Sequence, residues 1–372
     1  MKNINIGVIG WGFMGKIHSH ALRSLAFFYP NMDFTVTLKC ICTRRMEKAK
    51  EAMAIAGFER CTVDYRELIA MEDIDVVAIC TPNESHEEIA VAALQAGKHV
   101  YIDKPLSVTA DEAERIAAAA AAAPGHTRIA YHYRWYPAVL RARQLIEEGR
   151  IGNILQFEAR YLHGGSIDPD KPIGWKQQLQ GGALLDMGSH ALDLITHLIG
   201  YPSRILCKTR KLYPTRPMKD GSTTDQLSDD HVLMMLQLPC GALGTVEASK
   251  IASGSNDDLI FEIRGDRGAL RWNLMDPNYL DFYDMDAPGG PIGGERGFTR
   301  IETVGRFPAN GEIFIPKNPV GWERGHMHCY YSFLDSIAHD ERPLCGIDEG
   351  AKLQRLMEQM LESDRENRWV EL

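Results

Sequence analysis

Three groups of residues in this chain have the types and spacing to do chemistry. The first is Gly10-Trp11-Gly12-Phe13-Met14-Gly15, a G-x-G-x-x-G turn. Such a turn holds the diphosphate of a dinucleotide. Its first glycine allows the tight bend, its second lets the backbone approach the pyrophosphate, and its third lets a helix pack closely on a strand. The N–H groups and dipole at the start of that helix then attract the anion. Gly10, Gly12, Phe13, Met14 and Gly15 are therefore candidate cofactor contacts; the competing reading is a glycine-rich turn with no ligand. The second group is Asp103-Lys104-Pro105. An ammonium held by a following proline can hydrogen-bond a reacting hydroxyl or stabilise an alkoxide. Taken alone, the tripeptide reads better as a surface lysine after a strand. The third group is Asp186, His190 and Asp193. At roughly 100° per residue they fall within about 60° of one another on a helix. There His190 takes a hydroxyl proton, and Asp186 orients or charges the ring.

Two other readings of the third group stay open. Asp186 and His190, four residues apart, also have metal-ligand spacing. The third-ligand candidates are His163, His326 and His328, and none is convincing, so no metal is expected. The other reading is a satisfied structural histidine. Further polar residues sit at strand ends. The second strand runs out at Cys42-Thr43-Arg44-Arg45, where an NAD-type fold usually carries an acid for the ribose 2′-OH. A hydroxyl and a guanidinium there suit a 2′-phosphate, which modestly favours NADP over NAD. Arg44 stacked on adenine would leave NAD acceptable, and two solvated arginines would leave no preference. Thr81, Pro82, Asn83 and His86 would line the nicotinamide ribose; Asn83 and Ser85 also suit a turn and helix cap.

These residues need elements that bring them to one edge. Up to residue 133, strands over 4–9, 35–43, 75–81, 99–103 and 127–133 alternate with helices. Repeated β-α-β units imply a doubly wound parallel sheet, the α/β Rossmann arrangement, with ligands at the carboxyl ends of the strands. Thr109 and Glu112 form a capping-box pattern before an alanine-rich helix. The pattern then changes. Helices over 137–148 and 183–199 bracket a strand over 154–163. Strands over 204–213, 231–238, 244–250, 259–264 and 269–274 follow without intervening helices, joined in part by tight hairpins. That predicts an α+β domain with a large open, mainly antiparallel sheet. The stretch 284–318 reads as a long Gly- and Pro-rich loop, and helices over 327–339 and 350–364 close the chain. The expected domains are 1–127, binding NAD(P), and 128–372, binding substrate.

Bulk properties agree with two globular cores. The chain has 372 residues, 45% hydrophobic and 24% charged. A net charge of −9 counts against nucleic acid or an anionic membrane as partner. The eight cysteines are scattered with no C-x-x-C, which predicts free thiols. No run approaches roughly 18 apolar residues, and the start lacks a signal-peptide pattern. The expected location is the cytoplasm.

Strand–GxGxxG–helix, T-P-N-x-x-H at 81–86, D-K-P at 103–105 and G-G-x-x-x-D-x-G-x-H-x-x-D at 181–193 follow one another in this order. Together they resemble the glucose–fructose oxidoreductase / inositol dehydrogenase (Gfo/Idh/MocA) family, over nearly the whole chain. The resemblance implies that Lys104, matching the family's E-K-P lysine, is catalytic, with Asp103 replacing the glutamate, and that both also contact the cofactor. It implies that Asp186 and His190 are a proton-relay pair. The family's N-Y-R-x-x-P segment reads His132-Tyr133-Arg134-Trp135-Tyr136-Pro137 here, which puts Arg134 near substrate and His132 in place of asparagine. Trp175, before the relay helix, would stack on the apolar face of a sugar. The activity implied is hydride transfer between NAD(P) and a secondary hydroxyl or ketone of a sugar, polyol or glycoside. The alternative is glycoside cleavage by an oxidation–elimination cycle on tightly bound NAD. A homodimer or homotetramer through the open sheet is also implied.

Overall fold

The computed structural model describes residues 1–174, 181–307 and 317–372. The chain divides into two compact units, Met1–Trp135 with Gly305–Arg355, and Tyr136–Val304 with Leu356–Leu372. The units are not sequential, because a segment following the second unit's sheet returns to the first.

The first unit is built on β1 (Lys2–Ile9), β2 (Phe34–Cys42), β3 (Arg60–Thr62), β4 (Val76–Ile79), β5 (His99–Ile102) and β6 (Thr127–Ile129). The order is β3-β2-β1-β4-β5-β6, and all neighbours are parallel. Ile4, Ile6, Val8, Val76, Val77 and Ile79 are fully buried. Strands covered on both faces read as mostly apolar runs, as β4 does throughout and β1 does over its second half. This is the expected Rossmann sheet, and its strand order reverses between β1 and β4, where such folds bind ligands. β6 is shorter than the expected 127–133. Its pairing with β5 stops at Ile129, the Tyr131 N–H turns back to the Ile129 carbonyl, and His132–Trp135 winds into a 3-10 turn. The capping box at Thr109 and Glu112 is present in full. Helix Trp322–His339 begins earlier than the expected 327 and packs on helix Phe13–Phe28. Tyr331 stacks on Tyr29 at 4.2 Å between ring centroids, and Tyr330 on Tyr101 at 3.8 Å.

The second unit contains β7 (Ile154–Leu162), β8 (Arg204–Arg210), β9 (Thr215–Pro217), β10 (Thr223–Asp225), β11 (His231–Gln237), β12 (Leu243–Ser249), β13 (Asp258–Gly265), β14 (Gly268–Asn273), β15 (Tyr279–Asp284), β16 (Phe298–Glu302) and β17 (Val370–Glu371). Nine of them form one sheet in the order β16-β15-β14-β13-β7-β12-β11-β8-β17, while β9 and β10 pair separately. The sheet is antiparallel except where β7 meets β12. Two expectations are corrected. The stretch 284–318 is not loop throughout, because β16 lies inside it. β15, just before it, was also not expected. β16 is an edge strand with almost every residue exposed, so it has no hydrophobic alternation to read. It is held by backbone pairing to β15, by Phe298 against Tyr283, and by Arg300 with Asp276 and Asp281. Among the described residues no helix is long and apolar enough to cross a membrane.

Candidate active site

The first unit carries the glycine turn. Gly10 has φ +108°, and a Cβ there would stand 2.5 Å from the Cys80 carbonyl oxygen. Only glycine takes this backbone without strain. A Cβ on Gly15 would collide with the Gly10 carbonyl. A Cβ on Gly12 would meet nothing within 4 Å, so that face of the turn is open to a ligand. Helix Phe13–Phe28 starts at Gly12 with no side-chain cap and no acid in its first turn. Its leading N–H groups and dipole are thus available to a diphosphate, and the residues fit a dinucleotide. Phe13 is exposed and Met14 half-buried on the first turn.

At the carboxyl end of β2, Thr43 Oγ1 donates to the Arg45 carbonyl, and Arg44 is exposed. No carboxylate occupies positions 43–45. After β4, Ser85 Oγ donates to Thr81 Oγ1, Pro82 opens a short 3-10 turn, and Asn83 is buried. His86 is fully buried. Its Nε2 lies 2.9 Å from the Thr81 carbonyl, and its Nδ1 lies 3.2 Å from those of Pro105 and Leu106. The ring therefore ties the segment after β4 to the segment after β5. After β5, Asp103 is buried and its Oδ1 accepts the Lys104 N–H. Lys104 is half-buried, and its peptide bond to Pro105 is cis. Arg134 is buried in a 2.6 Å ion pair with Glu349.

A cluster of histidines lies near these residues. His18, fully buried on helix Phe13–Phe28, stands with Nε2 4.0 Å from Asp103 Oδ1 and packs edge-on to Tyr101, Tyr330 and His326. His326 stacks on His132 at 3.6 Å, with Trp322 edge-on to both. Burial lowers the proton affinity of His18, partly opposed by Asp103. Burial lowers that of His326 further, helped by His132, His18 and Lys104. Sequence reasoning missed His18 because its neighbours come from β5 and helix Trp322–His339, which spacing along the chain does not reveal.

The second unit carries the Asp–His helix. The expected regular helix over 183–199 instead opens with a π-helical turn, Leu184–Gly188, and continues as α-helix Ser189–Ile199. Turns of this kind are rare and concentrate at functional sites. The 100° spacing therefore does not hold for Asp186. Asp229 caps this start: its carbonyl accepts the Ala183 N–H and its Oδ2 the Leu184 N–H, both at 2.9 Å. Burial raises the Asp229 pKa, and those N–H groups and Lys250 oppose the rise. Asp193 and His190 are buried, and the Tyr161 ring lies 6.0 Å from that of His190. Lys250 Nζ lies 3.1 Å from Asp186 Oδ2. Of the histidines weighed as metal ligands, His163 Nδ1 accepts the Gly165 N–H, and His328 Nδ1 meets the Tyr29 hydroxyl. Trp175 lies outside the described residues. The loop leading toward it is pinned by Arg216, which donates to the carbonyls of Ser166 and Asp168 and to Gln226 Oε1.

Comparison with known proteins agrees along the whole chain. Residues 4–131 match the oxidoreductase family described as an NAD-binding Rossmann fold, and residues 143–372 match its C-terminal alpha/beta domain. Levoglucosan dehydrogenase of Pseudarthrobacter phenanthrenivorans is 33% identical over 390 residues, covering 100% of this chain and 99% of its own. The scyllo-inositol 2-dehydrogenase (NADP(+)) of Bacillus subtilis is 24% identical over 380 residues, covering 100% and 97%. The solved structure of a levoglucosan dehydrogenase in complex with NADH and L-sorbose superposes with a TM-score of 0.94 at 34% identity, covering 100% of this chain and 99% of that one. The chain is an oxidoreductase with an NAD-binding Rossmann domain, and it belongs to the Gfo/Idh/MocA family.

Proposed function

We propose that the chain is a dehydrogenase interconverting a secondary hydroxyl and a ketone on a sugar or polyol. The observation that carries this reading is its end-to-end likeness to levoglucosan dehydrogenase, a sugar oxidoreductase whose structures hold NADH with a carbohydrate. The open face at Gly12 and the uncapped helix start at Phe13 would take the cofactor's diphosphate. The bound nicotinamide supplies the hydride acceptor or donor. This chain's own residues handle the rest. Thr81, Pro82 and Asn83 line the cofactor's ribose, with His86 and Asp103 positioning that wall and Lys104. Lys104 holds the reacting oxygen and favours its alkoxide character. His190 accepts the hydroxyl proton in oxidation and returns it in reduction, with Asp186 orienting the ring. Arg134 and Trp175 shape the substrate pocket. Thr43 and Arg44 favour a 2′-phosphate, and so NADP over NAD, since no carboxylate stands at that strand end.

The experiment is titration with NADPH and NADH, followed by nicotinamide absorbance against a panel of sugars and polyols. Turnover with a panel member supports the reading and ranks the cofactors. Tight cofactor binding with no turnover across the panel overturns it.

A further inference from the structure

The helix that carries His190 begins beside a cation that the sequence reading did not include. Lys250 follows β12 and is only 3% exposed. Its backbone is held on both sides: its N–H donates to the Asp230 carbonyl, and its carbonyl accepts the Ser166 N–H, each at 2.8 Å. Lysine is almost never buried unless paired, and taking an ammonium out of water costs several kcal/mol that its partner must offset. Asp186 lies 3.1 Å away as one such partner, and Lys250 also acts on the Asp229 carboxylate. Among the described residues, the titratable or charged groups near this helix start include Asp229 at its cap, Asp193 on the helix and Tyr161 from β7. β11 and β13 lie next to this helix, and their residues Val232, Met234, Leu236, Leu259, Phe261 and Ile263 are buried and apolar. Arg143, from helix Pro137–Glu147, binds the His197 carbonyl toward the far end.

We propose that Lys250 is a positioning residue of the proton relay: its ammonium fixes the Asp186 carboxylate and limits the negative charge that carboxylate presents to His190. The inference rests on the assignment of Asp186 and His190 to proton transfer. A bare carboxylate close to an imidazole raises the imidazole pKa by roughly 1–3 units. A carboxylate already paired with an ammonium raises it less. In this proposal Lys250 weakens the pull of Asp186 on the His190 proton, which leaves the ring better able to accept one.

The test is the pH profile of kcat/KM for alcohol oxidation, with NADH affinity and thermal melting as controls. In Lys250→Met the acid limb should move up by about one unit, with NADH binding unchanged. Lys250→Arg, which keeps the charge, should retain the wild-type limb. Asp186→Asn with Lys250→Met removes both members of this ion pair, so Asp186 is not left as a bare carboxylate and the variant remains measurable if the single Met variant fails to fold. Its limb should coincide with that of Asp186→Asn alone. An unmoved limb in Lys250→Met, or a further shift when Lys250→Met is added to Asp186→Asn, overturns the proposal. Failure of the parent assignment shows separately, as wild-type turnover in His190→Ala.

Discussion

At the scale of single residues, the proposed division of labour separates binding from chemistry. Lys104→Ala and His190→Ala should each lower kcat by about 100-fold or more, since general acid–base groups contribute on the order of 10²–10⁴. Both should keep cofactor affinity near wild type, because neither residue lies in the glycine turn. Single-turnover rates beside a fluorescence titration check this, and wild-type-like turnover in either variant removes that residue from the mechanism. Arg44 makes a different prediction. Its guanidinium is exposed at the end of β2 with no acid beside it at 43–45. Arg44→Ala should weaken NADP binding about tenfold more than NAD binding, in line with a lost charge-assisted contact of about 1.5–3 kcal/mol. Equal losses for the two cofactors would remove the 2′-phosphate role. Most of these residues were legible because each sits in a local motif at a strand end. Lys250 was not, because its signal is spatial: it lies against Asp186, far away along the chain.

At the scale of elements, the glycine turn lets space and function be separated by a pair of variants. Gly12→Ala adds a methyl where nothing lies within 4 Å, so melting should shift by no more than about 0.5 kcal/mol. The same methyl stands where the backbone would approach the pyrophosphate, so cofactor affinity should drop about tenfold or more. Gly15→Ala drives its Cβ into the Gly10 carbonyl and should cost about 1–3 kcal/mol of stability, as overpacking does. Cofactor titration and thermal melting of both variants settle it; unchanged affinity in Gly12→Ala would contradict the diphosphate site. The same distinction explains which elements the sequence revealed. β4 is buried throughout and reads as an apolar run, while β1 and β5 are largely buried and mostly apolar. β13 and β14 are joined by a hairpin whose turn residues are local. β3, β9, β10 and β16 are too short or too exposed to carry a period, and their pairing partners alone define them. The π-helical turn at Leu184–Gly188 was equally illegible, since a cap by Asp229 from 45 positions away accompanies it.

At the scale of the whole molecule, two properties sum over many residues. The first is association. On the outward face of the nine-stranded sheet, Leu233, Met235 and Leu243 are exposed on adjacent strands. We propose that a second copy covers this face. Leu233→Lys with Met235→Lys should then shift the mass seen by light scattering to that of a monomer, and an unchanged mass would exclude the surface. The second is acid sensitivity. His18, His86, His326 and His328 are buried in the first unit, and burial lowers the proton affinity of each, to about 3 for His328. Half-buried His99 falls to about 4. In the unfolded chain all of them titrate near pH 6.5, as ordinary histidines do. Above that value neither state binds the protons, and the stability contribution is complete. Below it the unfolded chain takes up protons that the folded chain refuses, so stability is lost as pH falls toward the folded values. Each histidine that stays neutral costs about 1.4 kcal/mol between pH 7.5 and 5.5. Exposed His339 works in the opposite sense, its pKa raised by the Asp335 carbonyl and Asp33. Ordinary carboxylates titrate near pH 4, below this window; Asp229 and Asp335, whose pKa burial raises, would lose charge as pH falls and so work against the trend. The melting temperature should fall steadily from pH 7.5 to 5.5, and a flat profile would mean that these rings are not held neutral in the folded core.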